Sequence, residues 1–242
     1  MQIENNKEQV PFEHYQALFR QADAAGMAER SGAKWDGEKF YVNLLGTEYQ
    51  ISHPEYAIAC NVGEAFRLPR DGKPVLAMTE EGTIPSGSGK CRQDQRLARN
   101  VSGHCPLPLP VQTFLLRYLL EGKQVLWQGQ WKTFREMPWG ELYIKPYTGR
   151  VLTRAAFTFG TRVEAFKNAC EKMGATKLSH GDAGYEFDFL GGYKMRIMVW
   201  AGDEEFPPNA QILYSDNFET GFAPEDRVVA GDILIGAIKS RM

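Results

Sequence analysis

The sequence predicts an α+β fold, a single domain over residues 1–242 with a largely antiparallel or mixed sheet and helices packed on one face. Apolar residues recur at helical spacing near both ends and in mid-chain. Between those segments lie alternating runs joined by glycine turns, the pattern of antiparallel neighbours. No linker separates two independently plausible cores.

The first element is an amphipathic helix in "PFEHYQALFRQADAAGMAERSG", with Phe12, Tyr15, Leu18, Phe19 and Ala22 on one stripe and Gly32 placed to end it. A β-hairpin follows around Gly46, with Phe40, Val42 and Leu44 before the turn and Tyr49 and Ile51 after it. Residues of about 70–110 are rich in Gly, Ser and Pro and lack periodicity, which predicts a flexible loop or insertion. Then "VQTFLLRYLLEGK" aligns Val111, Phe114, Leu115, Tyr118 and Leu119 on one helix face that ends at Gly122.

The aromatic region from Val125 to Tyr147 holds Trp127, Trp131, Phe134, Trp139, Tyr143 and Tyr147 broken by Gly and Pro, so short strands and turns are expected. Thr161 and Glu164 have capping-box spacing before a helix with Val163, Phe166, Cys170 and Met173 on its stripe and Gly174 at its exit. Cys170 reads as a packed core thiol. Tyr185, Phe187 and Phe189 alternate with acids, and Gly191-Gly192 turns the chain into a strand with Met195, Ile197 and Val199 on one side and Arg196, Met198 and Trp200 on the other. A third strand, "AQILYS", and a helix opened by Pro224, Glu225 and Asp226 complete the chain.

With 28 basic and 30 acidic side chains the formal charge is −2, so no global field recruits nucleic acid or an anionic membrane. Aromatic and basic residues mix in "WKTFREMPWGELYIKPYTGR", but without the basic excess of nucleic-acid binders. No apolar run reaches the length of a bilayer span and the first residues lack a signal pattern, so a cytoplasmic protein that engages no membrane and no nucleic acid is expected. Four cysteines without CxxC spacing predict reduced thiols.

Several motifs invite chemistry. "SGSGKC" falls short of a phosphate loop, because Ile84 and Cys91 stand where that pattern needs glycine and a hydroxyl residue. Cys91, His104 and Cys105 offer soft ligands for zinc or an iron–sulfur cluster, one ligand short of a closed site, and an unligated loop is the simpler reading. His14, His53, His104 and His180 are scattered and no nucleophile elbow accompanies them.

The stretch "WAGDEEFPPNA" holds the densest functional signal. Asp203, Glu204 and Glu205 cannot share a dry interior without raising one another's pKa, so solvent, a base or a cation must meet at least one. Arg135, Arg196 or Lys194 could pair with them, and Phe206 is expected to pin the loop to the core while Pro207 and Pro208 stiffen it. A divalent-cation site is the competing reading of the acids.

The run from Asp182 to Ile238 closely resembles the C-terminal signature of the domain of unknown function 3786 family. Trp200, Gly202, Asp203, Glu204, Glu205, Phe206, Pro207 and Pro208 match its Trp-x-Gly-Asp-Glu-Glu-Phe-Pro-Pro turn, and Asp182, Pro224, Glu225 and Asp226 match its neighbours. Trp131, Phe134, Arg135 and Glu136 match an upstream block, as do the "FLLRYLLEGK" helix and Phe159-Gly160. The resemblance implies a family without an assigned activity, found mainly in anaerobic bacteria and archaea and often fused to a Cys-rich iron–sulfur module. This chain departs from those fused members in lacking an N-terminal Cys-rich segment, and a separate partner could supply a cluster.

The expected function is therefore an accessory or binding protein of anaerobic metabolism that engages a redox protein, iron–sulfur or corrinoid, or a small ligand. Trp200, Phe206 and Trp131 would supply apolar contact, and Asp203, Glu204, Glu205 and Arg135 polar specificity. The alternative is an enzyme that uses the acidic turn for general acid–base chemistry or to hold a divalent cation. The residues name no resident cofactor or metal.

Overall fold

The computed structural model describes residues 6–60 and 107–242. Most of the segment expected as a loop, Cys91, His104 and Cys105 included, lies outside the described residues.

The N-terminal helix is two helices, α1 (Asn6–Gln21) and α2 (Ala24–Ser31). Asp23 makes the break: its carboxylate accepts the Gly26 N–H at 2.8 Å, so it caps α2 instead of continuing α1. Gly32, at φ 73°, ends α2 in the left-handed conformation that glycine adopts without steric cost. A short β1 (Lys34–Trp35) precedes the expected hairpin, β2 (Lys39–Leu44) and β3 (Thr47–Ser52), and β4 (Ile58–Cys60) pairs with β3. The hairpin closes through Leu45 and Gly46, both at positive φ, as a two-residue turn that follows the strand twist requires.

Helix α3 (Leu109–Glu121) buries all five residues of the predicted stripe and stops at Gly122. The aromatic region departs from expectation. Only β5 (Trp131–Thr133) is a strand, and after a 3₁₀ turn over Phe134–Glu136 the chain runs helically from α4 (Gly140–Tyr147) through a π turn (Thr148–Thr153) into α5 (Arg154–Phe159). Pro146 and Gly149 read as breakers, yet Pro146 stands in the last turn of α4 and Gly149 lies within the wider π turn, and the helical path continues through both. What drives the helix is a stripe at intervals of four: Tyr147, Val151, Ala155 and Phe159 are all buried.

The capping box expected at Thr161 is absent. Helix α6 (Val163–Lys172) starts after Arg162 without a side-chain cap, Thr161 Oγ1 donates to the Phe157 carbonyl, and Glu164 pairs with Lys167 at 2.8 Å. A true capping box sits instead at Thr133 and Glu136, ahead of the 3₁₀ turn.

The remaining strands are β6 (Thr176–Leu178), β7 (Ala183–Leu190), β8 (Tyr193–Trp200) and β9 (Asn209–Ser215), followed by α7 (Phe218–Gly221) and α8 (Pro224–Lys239). Among the described residues all strands join one antiparallel sheet in the order β4-β3-β2-β7-β8-β9-β5, with β1 on β2 and β6 on β7. Register aligns Tyr185, Ile197 and Ile212 across three strands and Phe187, Met195 and Tyr214 beside them. These six side chains form one buried face.

The helices cover that face. Phe114 of α3 meets Phe189 edge-on at 5.9 Å, and Phe166 of α6 meets Tyr185 at 5.7 Å. Helix α8 is buried around most of its circumference, and each large side chain it inters contributes roughly 1.5–3 kcal/mol. Cys170 lies in this core, and burial pushes its thiol far up, as expected of a packed residue. No described helix is long and apolar enough to cross a membrane.

Candidate functional site

The acidic stretch forms the connection between β8 and β9. Asp203 organises it: its Oδ1 accepts the N–H groups of Glu205 at 2.9 Å and Phe206 at 2.7 Å, and its own N–H donates to the Phe206 carbonyl. An Asx turn of this kind replaces the missing strand hydrogen bonds over the tip. The Phe206 and Glu205 amides hold the Asp203 carboxyl below its ordinary value, so it is ionised and spent on the backbone. Asp182, just ahead of β7, makes a matching contact: its carboxylate accepts the Ala201 N–H at 2.7 Å while its amide donates to the Val199 carbonyl.

The base of the turn is fixed by close packing. A Cβ on Gly202 would sit 2.7 Å from Pro208 Cδ, and one on Gly160 would collide with Pro208 and come within 3.0 Å of the Trp200 carbonyl. The Phe159-Gly160 pair and the Pro207-Pro208 pair therefore dock as one unit, which explains glycine at both positions.

Phe206 does not pin the turn. Its ring is 66% exposed, Trp200 is 39% exposed, and Pro208 makes the anchoring contact instead. Glu204 and Glu205 point outward with no ion pair or side-chain hydrogen bond among the described residues. The cations expected to neutralise them are committed elsewhere. Arg135 forms a fork with both Glu141 oxygens at 2.5 and 2.8 Å, Arg196 directs two N–H groups to one Glu186 oxygen at 2.9 and 2.8 Å, and Lys194 reaches Glu186 and Asp188.

Trp131 is not brought to the turn, and Arg135 is held by Glu141. Trp131 faces Ser215, six residues along β9 from Asn209 where the turn ends, a separation of roughly 20 Å at strand rise. There Trp131 carries the Arg196 guanidinium at 4.0 Å over its ring and packs edge-on with Trp127 at 5.2 Å. Among the described residues no three His, Cys, Asp or Glu side chains converge as a cation site would need.

A second constellation, around the N-terminus of α8, was not legible as a site. Arg227 is 2% exposed, yet its guanidinium reaches four backbone carbonyls, those of Phe218, Glu219, Phe222 and Pro138, at 2.8–3.3 Å. An arginine so satisfied ties α7 and the Pro138 corner to α8, and losing it would orphan buried acceptors. Beside it Asp226 is buried, and Arg117 Nε lies 3.0 Å from its Oδ1. That N–H is not aimed at the oxygen, so the contact is an ion pair rather than a hydrogen bond. Burial pushes the Asp226 carboxyl up to about 6, with Arg117 offsetting only some of the cost.

The pair divides two clefts, one of about 310 Å³ toward Trp139 and one of about 340 Å³ toward α1. Trp139 stands at φ 66° and ψ −1°, a left-handed conformation that costs a bulky residue about 1–2 kcal/mol. The ring is 68% exposed. The sequence signals were slight: a lone arginine inside the apolar α8 segment, and a tryptophan before a glycine.

Comparison with known families matches residues 76–237 to the family described as domain of unknown function (DUF3786). No curated protein and no solved structure matches the chain.

Proposed function

The chain belongs to the domain of unknown function 3786 family, and from that premise we propose that it is an accessory or binding protein that docks a partner on its Trp200–Pro208 face. The supporting observation is a rigid turn that holds an aromatic ring outward. Phe206 is 66% exposed on a backbone locked by Asp203, Gly202 and Pro208, so its desolvation on docking costs little ordering entropy. Trp200 extends the apolar contact, and Glu204 and Glu205 present unpaired charge at its rim. A basic surface around a shallow apolar pocket is the complement.

The partner class follows from the resemblance: a cytoplasmic iron–sulfur or corrinoid redox protein of anaerobic metabolism. Trp131, at the far end of β9, is outside this face, and Arg135 is committed to Glu141. The enzyme alternative moves with the electrostatics. Asp203, held low by backbone amides, is poorly suited to shuttle protons at the turn, whereas the raised carboxyl lies at Asp226.

The test is a triple variant, Glu204→Gln, Glu205→Gln and Phe206→Ala, which leaves Asp203 and the turn's hydrogen bonds in place. Used as bait in an anaerobic extract, it is expected to lose an iron–sulfur or corrinoid protein that the wild type retains, with affinity down about tenfold or more. Its melting temperature should stay near that of the wild type. Identical capture by both proteins would remove the proposal.

A further inference from the structure

The three most exposed large apolar side chains among the described residues lie around α7, away from the docking face. Leu126 is 78% exposed, Leu142 72% and Trp139 68%. The Leu142 amide donates to the Trp139 carbonyl at 3.1 Å, so the two side chains are neighbours on the surface of the first α4 turn. Helix α7 joins Leu126 to them. Leu126 lips a hollow of about 260 Å³, Trp139 lips the cleft of about 310 Å³, and Glu219 and Thr220 line both. One continuous surface therefore carries two apolar projections and two hollows, with the α7 turn as the ridge between them.

Trp139 is held there against its own preference. Gly140, where a Cβ would collide with the Phe134 carbonyl, lets the chain turn tightly at this point, and the Gly140 amide closes the turn on the Met137 carbonyl at 2.9 Å. The Arg227 guanidinium braces this corner against α7 through the Pro138, Phe218 and Glu219 carbonyls. The fold thus maintains a large ring in a left-handed conformation while leaving most of it in water. Neither packing nor backbone geometry within one chain rewards tryptophan here, so the compensating contact lies outside the chain.

The charges around the ridge decide what covers it. The cations lining the two hollows equal the carboxylates in number, and most of them are already engaged. Lys132 pairs with Glu219 at 2.5 Å, Arg117 with Asp226 and Glu121, and Asp216 accepts the Gln128 and Gln130 amides. Arg135 and Glu141, beside Leu142, close on each other. A surface so balanced selects no partner of opposite charge and meets its own copy without like-charge repulsion. The docking face is the contrary case, because a two-fold axis there would bring the unpaired Glu204 and Glu205 against themselves. A two-fold contact also needs projections and hollows on the same surface, and the α7 ridge has both.

We propose that the chain pairs with a second copy of itself across this ridge, the Trp139 ring of each copy entering the hollow beside Leu126 of the other. By the same symmetry Leu126 of each copy covers the cleft beside Trp139 of the other, and Leu142 widens the apolar contact. Indole is suited to such a place, since it buries a large rigid area and the hollow's amide and carboxylate oxygens can accept its N–H. The Phe206 face stays free on both copies for the docking partner.

The test is sedimentation velocity on the full-length protein over a dilution series. The wild type is expected to pass reversibly from monomer to dimer as concentration rises. Trp139→Gly is the decisive variant, since glycine adopts the left-handed conformation freely and removes only the ring. It should stay monomeric where the wild type is dimeric, and should melt no lower than the wild type at dilutions where both are monomers. Leu126→Glu, a change on an exposed connection, should weaken dimerisation at least about tenfold by setting a carboxylate against the indole. Phe206→Ala should leave the equilibrium unchanged, which separates this surface from the docking face. A wild type that stays monomeric at its highest soluble concentration, a dimer undiminished in Trp139→Gly or Leu126→Glu, or one that Phe206→Ala dissolves overturns the proposal.

Discussion

At the scale of single residues, the Asp226 carboxyl, in the first turn of α8, loses more to dehydration than it regains from the Arg117 guanidinium. A folded-state pKa raised from 3.8 to about 6 means that the folded protein binds the proton more tightly than the unfolded chain. The stability this confers is fully present below about pH 4 and is lost as pH rises through about 6. The difference amounts to roughly 2–3 kcal/mol. Asp226→Asn should therefore flatten the fall in unfolding free energy between pH 4 and 7 relative to wild type. Urea unfolding across that range measures it, and parallel curves for the two proteins would show that Asp226 is not the group responsible. The same residue shows why the site was hard to read in sequence. Glu225 and Asp226 look like ordinary helix-opening acids, and only packing separates the exposed one, which accepts from Tyr143, from the buried one.

At the scale of elements, the turn between β8 and β9 depends on α5. Gly160→Ala would push a methyl into Pro208 and toward the Ala156 and Trp200 carbonyls, at 2.8 and 3.0 Å. A destabilisation of about 1–3 kcal/mol is expected, as for other overpacked positions. The docking face should loosen with it, and hydrogen exchange at Glu205 and Phe206, whose amides Asp203 holds, reads both effects at once. Unchanged protection there would mean that the turn stands without α5. Elements whose side chains alternate or stripe cleanly were legible: the Phe40–Ile51 hairpin, α3, and strands β7 to β9 match their patterns. The helical run from Gly140 to Phe159 was not, because local breakers at Pro146 and Gly149 mask a stripe that only burial of Tyr147, Val151, Ala155 and Phe159 reveals. Capping spacing misled at Thr161 for a related reason. The hydroxyl was already taken by the Phe157 carbonyl of the preceding helix.

At the scale of the whole molecule, the sheet presents three different surfaces to separate tasks. Helices bury one face, the Trp131, Arg196 and Glu186 cluster covers some of the other, and the β8–β9 turn projects beyond its end. Residues that sequence grouped as one site thus divide. Trp200 and Asp203 to Phe206 lie on the projecting turn, while Trp131 and Arg135 are committed to cation–π and ion-pair contacts elsewhere. Sequence motifs record which residues occur together, but strand direction decides which of them meet. The docking proposal then rests on a position, the outward ring of Phe206, rather than on a reaction. The most direct measurement is site-specific photo-crosslinking in living anaerobic cells, with a benzophenone side chain at Phe206 and a control at Leu126, which is also exposed. The account predicts a discrete adduct from the Phe206 position to an iron–sulfur or corrinoid protein, and none to that protein from Leu126. No adduct at Phe206, or the same adduct from both positions, would contradict it.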